Sequence, residues 1–435
     1  MNKAHDNALQ ILRQIRSAGF TSYFAGGAVR DQLLKRTPKD YDIATNALPD
    51  QIEALFKKTV AVGKAFGVII VVQNGVETEV ATFREDIGYQ DGRRPDSVHF
   101  CGAEEDAKRR DFTINGMFYD PVADHVIDYV NGQADLGGGI IRAIGDPEKR
   151  FAEDHLRMLR AVRFAHTLGF AIEPATRAAI QQHAADLAKI SAERIENEFS
   201  RTLTESLRPG DALKELVELG LMDTIMPEIL PMIGQEQPPE FHPEGDVFEH
   251  TCLMLNLMKN PSRALAYTVL LHDIGKPATA FMGEDRLRFH GHERKSAQMA
   301  EDILRRLRLP AKEIKQLLTA VDGHMRFKDV QKMNKSTLRK LMGADTFDME
   351  LELHRIDCSG SHGLLDNYEF LLEKAAEMSN EPVLPEHWIS GRNLINLGIP
   401  PGPKIGDLLK IAYDAQLEGR FETRDELLDW LKTTL

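Results

Sequence analysis

Two closely spaced acids are the first residues in the chain whose types and spacing suggest chemistry. Asp40-Tyr41-Asp42 leads into the apolar IAT. In a strand, residues i and i+2 point the same way, so both carboxylates would share one face with Tyr41 opposite. Like charges side by side in a sheet repel unless a cation binds them. Mg²⁺ takes one or two protein carboxylates together with phosphate oxygens. Taken alone, the pair reads at least as well as a solvated strand end. A third acid comes from a hairpin: GVIIVVQ and VETEVATF flank Asn74-Gly75, a strong two-residue turn signal. Glu77 and Glu79 share a face of its second strand, and either is placed to lie across the sheet from the aspartates. Three convergent carboxylates suit two-metal transfer, with one metal activating a 3′-hydroxyl and the other holding a triphosphate and its leaving pyrophosphate. Upstream, Gly26-Gly27-Ala28-Val29-Arg30-Asp31 sits where a strand turns into a helix. Paired glycines often just make a turn. Here they would also let backbone approach a phosphate, with Arg30 as a fixed charge.

Two further constellations follow. In EDHLRMLRAVRF, Asp154 and Arg157 are i and i+3 on an expected helix, a spacing common in surface ion pairs of little energetic worth. The pair also places an acceptor beside a donor. Cytosine and adenine each offer an amine next to a ring nitrogen on the pairing edge, whereas guanine and uracil offer a carbonyl where the amine would be. Such a pair selects C and A together. Arg157, Arg160 and Arg163 recur every three residues, as a basic ridge opposite Leu159 and Val162. Residues 242–362 hold His250, the adjacent His272-Asp273 in LLHDIGKP, His290, His292, His324 and Asp357. An imidazole and a carboxylate side by side after an apolar run, with others on neighbouring helices, form a metal-ligand pattern. His166, His183 and His387 have no such company and read as structural.

The elements that must position these groups change character along the chain. The first ~150 residues alternate short strand and helix patterns. The opening segment reads as an amphipathic helix through Leu9, Leu12 and Ile15, without the apolar core of a signal peptide. From Glu148 helical periodicity dominates, interrupted by a Pro-rich break over 227–243 and a turn at GIPPGPKIG. The fold class is therefore α+β and multidomain: a head over 1–145, a helical neck over 146–240, a histidine-rich block over 241–375 and a helical tail over 376–435. Three scattered cysteines suit a reducing cytoplasm. No run reaches the ~18 apolar residues of a membrane span. A formal charge of −13 argues against an indiscriminate nucleic-acid coat but leaves room for a local basic face.

Taken in order, Gly-Gly-x-Val-Arg-Asp, Asp-x-Asp and Arg109-Arg110-Asp111-Phe112-Thr113-Ile114-Asn115-Gly116 resemble the class II tRNA nucleotidyltransferase and bacterial poly(A) polymerase family. The resemblance implies a polymerase-β-like head in which Asp40 and Asp42 bind Mg²⁺ and Glu79, rather than Glu77, is the third carboxylate. It implies that Gly26, Gly27, Arg30, Arg110, Asp111 and Asn115 contribute to the nucleotide site. Gly116 stands where that family usually has Ala, a departure expected to matter little. Residues 85–98 read as a polar loop, and by resemblance match the loop that helps switch from adding C to adding A. EDHLRMLRAVRF resembles the family's base-reading motif, which assigns the base to Asp154 and Arg157 and nearby contacts to Arg160 and Arg163. SAERI at 191–195 resembles a later motif and reads as structural. The histidine block resembles the HD phosphohydrolase domain, with His250, His272, Asp273 and Asp357 as ligands to a transition metal or Mg²⁺. His292 and His324 would complete a second position, with hydrolysis of a phosphomonoester or 2′,3′-cyclic phosphate as the implied chemistry. The tail is a candidate for contact with tRNA. The implied activity is addition of C, C and A to tRNA from CTP and ATP. The alternatives are A-only addition, CC-only addition, a poly(A) polymerase, a phosphohydrolase whose head only binds tRNA, and an RNA-binding scaffold. The acidic ending RDELLDWLKTTL counts against a poly(A) polymerase, which often carries a basic tail.

Overall fold

The computed structural model describes residues 3–89, 95–378 and 382–434. They divide into two compact units, Met1–Leu230 with Arg306–Arg308, and Pro231–Arg305 with Leu309–Leu435.

The first unit is built on a seven-stranded sheet. Its strands are β1 (Ser22–Ala25), β2 (Asp42–Thr45), β3 (Thr59–Gly63), β4 (Val68–Gln73), β5 (Val76–Thr82), β8 (Met117–Asp120) and β9 (His125–Asp128). Their order is β3-β4-β5-β2-β1-β8-β9. The expected hairpin is present: β4 and β5 are antiparallel, with Gln73 opposite Val76. Asn74 (φ 54°) and Gly75 (φ 75°) both take the left-handed conformation that a tight two-residue turn demands. β5 then runs parallel to β2, with Ile43 opposite Val80. One face of the sheet is closed by the helix Lys3–Ser17, whose Ala8, Ile11, Leu12 and Ile15 are fully buried. Each large aliphatic among them contributes about 1.5–3 kcal/mol by leaving water. Asn7 Nδ2 donates to Thr78 Oγ1 across 3.2 Å and ties this helix to β5.

Residues 85–98 are not simply a loop. β6 (Arg84–Tyr89) and β7 (Pro95–Phe100) pair antiparallel from Arg84 opposite Phe100 to Tyr89 opposite Pro95. The alternation DIGY and DSVHF carries strand propensity that the polar composition concealed. Gln90 to Arg94, at the centre of that segment, lie outside the described residues.

Beyond the sheet the unit is helical. The helix Leu156–Leu168 buries Met158, Leu159, Ala161, Val162 and Ala165 and ends at Gly169 in the left-handed conformation. It packs beside the helix Ala192–Glu205. The second unit gathers the helices Val247–Leu257, Arg263–Leu271, His292–Arg306, Ala311–Gly323 and Phe347–Gly360. Towards its C-terminal end Ile389, Leu394, Leu408, Ala412, Leu427 and Leu431 form a separate small core, as the amphipathic pattern there predicts. No helix among the described residues is long and apolar enough to cross a membrane.

Candidate functional site

In the head, the alternation expected of Asp40-Tyr41-Asp42 holds. Tyr41 is buried against Phe24 (ring centroids 5.4 Å apart) and His5 (5.1 Å), while Asp40 is exposed and Asp42 half-buried. Asp40 lies just before β2 rather than inside it. The parallel register sets Glu79 one step back from the Val80–Ile43 pair, beside Asp42. Burial, then Glu79 and Asp40, push the Asp42 carboxyl up to about 7, against the pull of Arg110. The Glu79 carboxyl is also raised. Desolvation leads, although the residue is exposed and does not line the cleft that both aspartates share, and Asp40 adds to it against Arg84 and Arg110. Crowded acids with raised affinity for protons are groups a divalent cation would relieve.

Both aspartates line a cleft of about 740 Å³ with Gly26, Gly27, Arg30, Arg110, Asp111, Asn115, Asp154, Arg157, Arg160 and Arg163. Gly26 holds φ 66°, and a Cβ there would stand 3.1 Å from Arg110 Nη1, so backbone and guanidinium approach closely only because the residue is glycine. Arg30 is buried, donates through Nη1 to Asn115 Oδ1 (2.8 Å) and through Nε and Nη2 to Asp31, and lies over the Phe164 ring. Asn115 Nδ2 donates to Asp111 Oδ1 (3.1 Å). Asp111 Oδ2 accepts from Arg160 Nε (2.9 Å) and Nη2 (2.6 Å). Burial alone would raise the Asp111 carboxyl, but the Arg160 pair and the Asn115 and Phe112 bonds outweigh it and hold the group down at about 2.

The neck differs from its sequence reading in one respect. Asp154 is not on the helix with Arg157. It sits in extended backbone (φ −146°, ψ 102°) between the helix Pro147–Glu153 and the helix Leu156–Leu168. Its Oδ1 accepts from Leu156 N (3.1 Å), and its Oδ2 pairs with Arg194 Nη2 (2.9 Å). An Asp competes with helix by capping the next one, which is why the chain breaks here. Arg157 pairs with Glu153 (2.6 Å) and donates to Arg109 O. Asp154 and Arg157 therefore meet through the cleft they both line, not as an i,i+3 ion pair. The arginine ridge is likewise packed rather than exposed. Arg163 is buried, bonded to the buried Glu198 and set over Phe164 at 4.2 Å. Truncating one partner of such a buried pair costs about 3–5 kcal/mol.

In the second unit the histidine block converges. His250 Nε2 is 3.1 Å from Asp357 Oδ1, and His272 Nε2 is 3.2 Å from Asp273 Oδ2. Asp273 Oδ1 faces His292 Nε2 at 3.3 Å and His324 Nε2 at 3.8 Å. Nδ1 of His272, His292 and His324 faces the backbone carbonyls of Val269, Phe289 and Val321 at 2.7–2.8 Å, which turns each Nε2 inward. Among the described residues, both His250 nitrogens, His272 Nε2 and Asp273 Oδ1 are buried without a well-directed hydrogen bond, despite those short separations. Buried groups of this kind need a partner, and imidazoles with carboxylates fit a divalent metal. His250, His272 and Asp273 form one group able to hold an ion, and Asp273, His292 and His324 another. The three histidines read as structural have partners of their own: His166 with Glu215 (2.8 Å), His183 through Nδ1 with Asp186 (3.0 Å), and His387 stacked on Tyr413.

Three families match successive stretches: "Poly A polymerase head domain" at 22–142, "Probable RNA and SrmB- binding site of polymerase A" at 169–233, and "HD domain" at 247–350. The CCA-adding enzyme of Bacillus subtilis strain 168 is 33% identical over 440 residues, spanning 100% of this chain and 99% of that protein. The chain belongs to the CCA-adding enzyme family. Its similarity to the CCA-adding enzyme of Latilactobacillus sakei is higher, 48%, but over 215 residues, about half of that protein's length at 54%. The solved structure of the Bacillus stearothermophilus CCA-adding enzyme in complex with CTP superposes with a TM-score of 0.78 at 30% identity, covering 100% of this chain and 98% of that one.

In this member of the CCA-adding enzyme family, several residues around the cleft and the cluster were not picked out in the sequence. Asp106 is almost fully buried, pairs with both Arg109 and Arg110, and accepts the Arg84 backbone N–H. Arg194, read as structural, lines the cleft and holds Asp154. His242 and Glu244 join His250 in a third group able to hold an ion. The acid-arginine spacing of EDAKRR and SAERI was the available signal for the first two; a lone His-Pro-Glu in a loop offered none. At Gly116 a Cβ would come within 2.6 Å of Val130 Cγ2 and 3.0 Å of Ile144 Cδ1, so an alanine there needs those two side chains to shift.

Proposed function

We propose that the chain is a CCA tRNA nucleotidyltransferase, adding C, C and A to the tRNA 3′ end from CTP and ATP without a nucleic-acid template. The observation that carries this reading is one cleft lined by both the Asp40–Asp42 pair and Asp154 with Arg157, the arrangement expected if transfer centre and base reader act on the same nucleotide. Full-length similarity to CCA-adding enzymes, one of them solved with CTP, supports it.

The carboxylates of Asp40, Asp42 and Glu79 offer the hard oxygen donors that suit Mg²⁺. Bound there, Mg²⁺ supplies charge neutralisation for the triphosphate and acidifies the attacking 3′-hydroxyl. Gly26 and Gly27 admit the phosphates to the backbone, and Arg30 and Arg110 add fixed positive charge. Asp111, kept ionised by Arg160, and Asn115 order that wall. The 3′ oxygen bonds to the α-phosphorus, the α–β bridging bond breaks, and pyrophosphate leaves with its electron pair. Asp154 accepts the base's exocyclic N–H while Arg157 donates to the ring nitrogen, which admits cytosine and adenine and opposes guanine and uracil. A tRNA transcript lacking its 3′ end, given CTP and ATP, is the direct substrate test. The tail module is proposed to contact tRNA.

The second unit's cluster supports a second, separate reading as a metal-dependent phosphohydrolase centre. His250, His272, Asp273 and Asp357 would hold a transition metal or Mg²⁺, and His292 with His324 a second ion. His272→Ala and Asp273→Ala are expected to lower bound metal, measured by elemental analysis, and to remove metal-dependent phosphatase activity while nucleotide addition continues at the parent rate. Unchanged metal content in both variants would refute this second reading alone.

A further inference from the structure

Glu244 belongs to neither the head chemistry nor the HD ligand set, yet it is built into the base of the histidine cluster. Its Oε1 lies 2.9 Å from His242 Nδ1 and 2.5 Å from His250 Nδ1. The two imidazoles meet edge to face, with centroids 4.8 Å apart. Its Oε2 is buried without a hydrogen-bond partner among the described residues. The loop that carries it is fixed from below: Asp246 caps the helix Val247–Leu257 through Glu249 N (2.7 Å) and also accepts from Gly234 N (2.6 Å).

His242, Glu244 and His250 are close enough to hold an ion themselves. The ring chemistry favours another role. A neutral imidazole keeps one N–H and one lone pair. With an ion shared by His250 and Asp357, the Nε2 lone pair, on the nitrogen 3.1 Å from Asp357 Oδ1, would go to that ion. Nδ1 then carries the proton, and Glu244 Oε1, 2.5 Å away though off the line of a well-directed bond, is the carboxylate oxygen within reach of it. The same oxygen takes His242 Nδ1, which leaves His242 Nε2 free on a ring that lines the cavity above the cluster.

We infer that Glu244 is the positioning residue of this centre, fixing the Nδ1–H tautomer of both His242 and His250 so that each presents Nε2 as a ligand atom. The inference rests on reading the cluster as a metal site. Carboxylates behind a ligating histidine typically govern metal affinity by 10–100-fold.

The test is a calorimetric Mn²⁺ titration of the full-length chain carrying Asp40→Ala and Asp42→Ala, so that the head carboxylates do not contribute. In that background Glu244→Ala should weaken Mn²⁺ binding by about 10–100-fold. Glu244→Gln, which keeps the shape and one acceptor oxygen, should fall between the two. The melting temperature in chelator should be the same for all three, separating ligand positioning from a role in folding; should Glu244→Ala not fold, the Gln variant carries the comparison. Parent-like Mn²⁺ affinity in the folded variants would overturn the role of Glu244 while leaving the metal cluster standing. Absence of Mn²⁺ binding in the parent background would overturn both together.

Discussion

Asp42→Ala is expected to lower the turnover number for nucleotide addition on the order of 10³-fold or more, about 4 kcal/mol of transition-state stabilisation. Asp40→Ala should do the same, with tRNA affinity nearly unchanged in both. The structure separates this loss from any loss of fold. In the metal-free protein the Asp42 carboxyl has its affinity for protons raised to about 7 by burial and by Glu79 and Asp40, above an ordinary value of 3.8. A carboxyl with a raised native value contributes stability below its unfolded value and loses it as pH rises through the native one. The folded head therefore bears a penalty at pH 8 that is absent near pH 3. Asp42→Asn removes the charge, so in chelator it should melt higher than the parent at pH 8. Thermal unfolding at the two pH values checks this, and equal melting shifts would contradict the crowded-acid picture. Inactive but more stable is the signature of a group kept for function at a structural cost.

The second large effect concerns base choice. Asp154→Ala should reduce incorporation of both C and A, because the acceptor for the exocyclic amine is gone, and should narrow the preference over U and G. A site built to hydrogen-bond a substrate group rejects analogues lacking it by up to 10⁴–10⁵-fold, so most of that discrimination is at stake. Arg157→Ala should act in the same direction. It also removes one of two arginines on the Glu153 carboxylate, Arg157 at 2.6 Å, and leaves Arg150 at 2.8 Å, so a modest loss of stability should accompany it. Competition assays with the four nucleoside triphosphates report the ratio. If the preference for C and A survived in both variants, the base would be read elsewhere.

Much of this was legible in residue types and spacing. The Asn74-Gly75 turn dictated the hairpin, and period-two alternation placed Tyr41 inward and the aspartates outward. The first helix declared its buried face through Leu12 and Ile15. What escaped was set by tertiary choices. Asp154 could serve a helix face or cap the next helix, and local spacing does not distinguish the two. The ridge of Arg157, Arg160 and Arg163 was legible as basic, but not that it pairs with Glu153, Asp111 and Glu198, which lie on other elements or an earlier turn. Residues 85–98 hid two strands behind polar composition. Glu244 gave no signal at all, since its importance depends on two imidazoles brought to it by the fold.

The most direct measurement is the identity of the residues the protein adds. tRNA transcripts ending before, within and after the CC step would each be incubated with CTP and ATP, separately and together, and the new 3′ residues sequenced. C, then C, then A, followed by arrest, is the predicted result, with CTP alone stopping after CC and ATP alone extending only transcripts that already end in CC. Addition of A alone, of CC alone, or of a run of A residues would contradict CCA addition, and no addition to any transcript would contradict the assignment of Asp40 and Asp42 as a transfer centre.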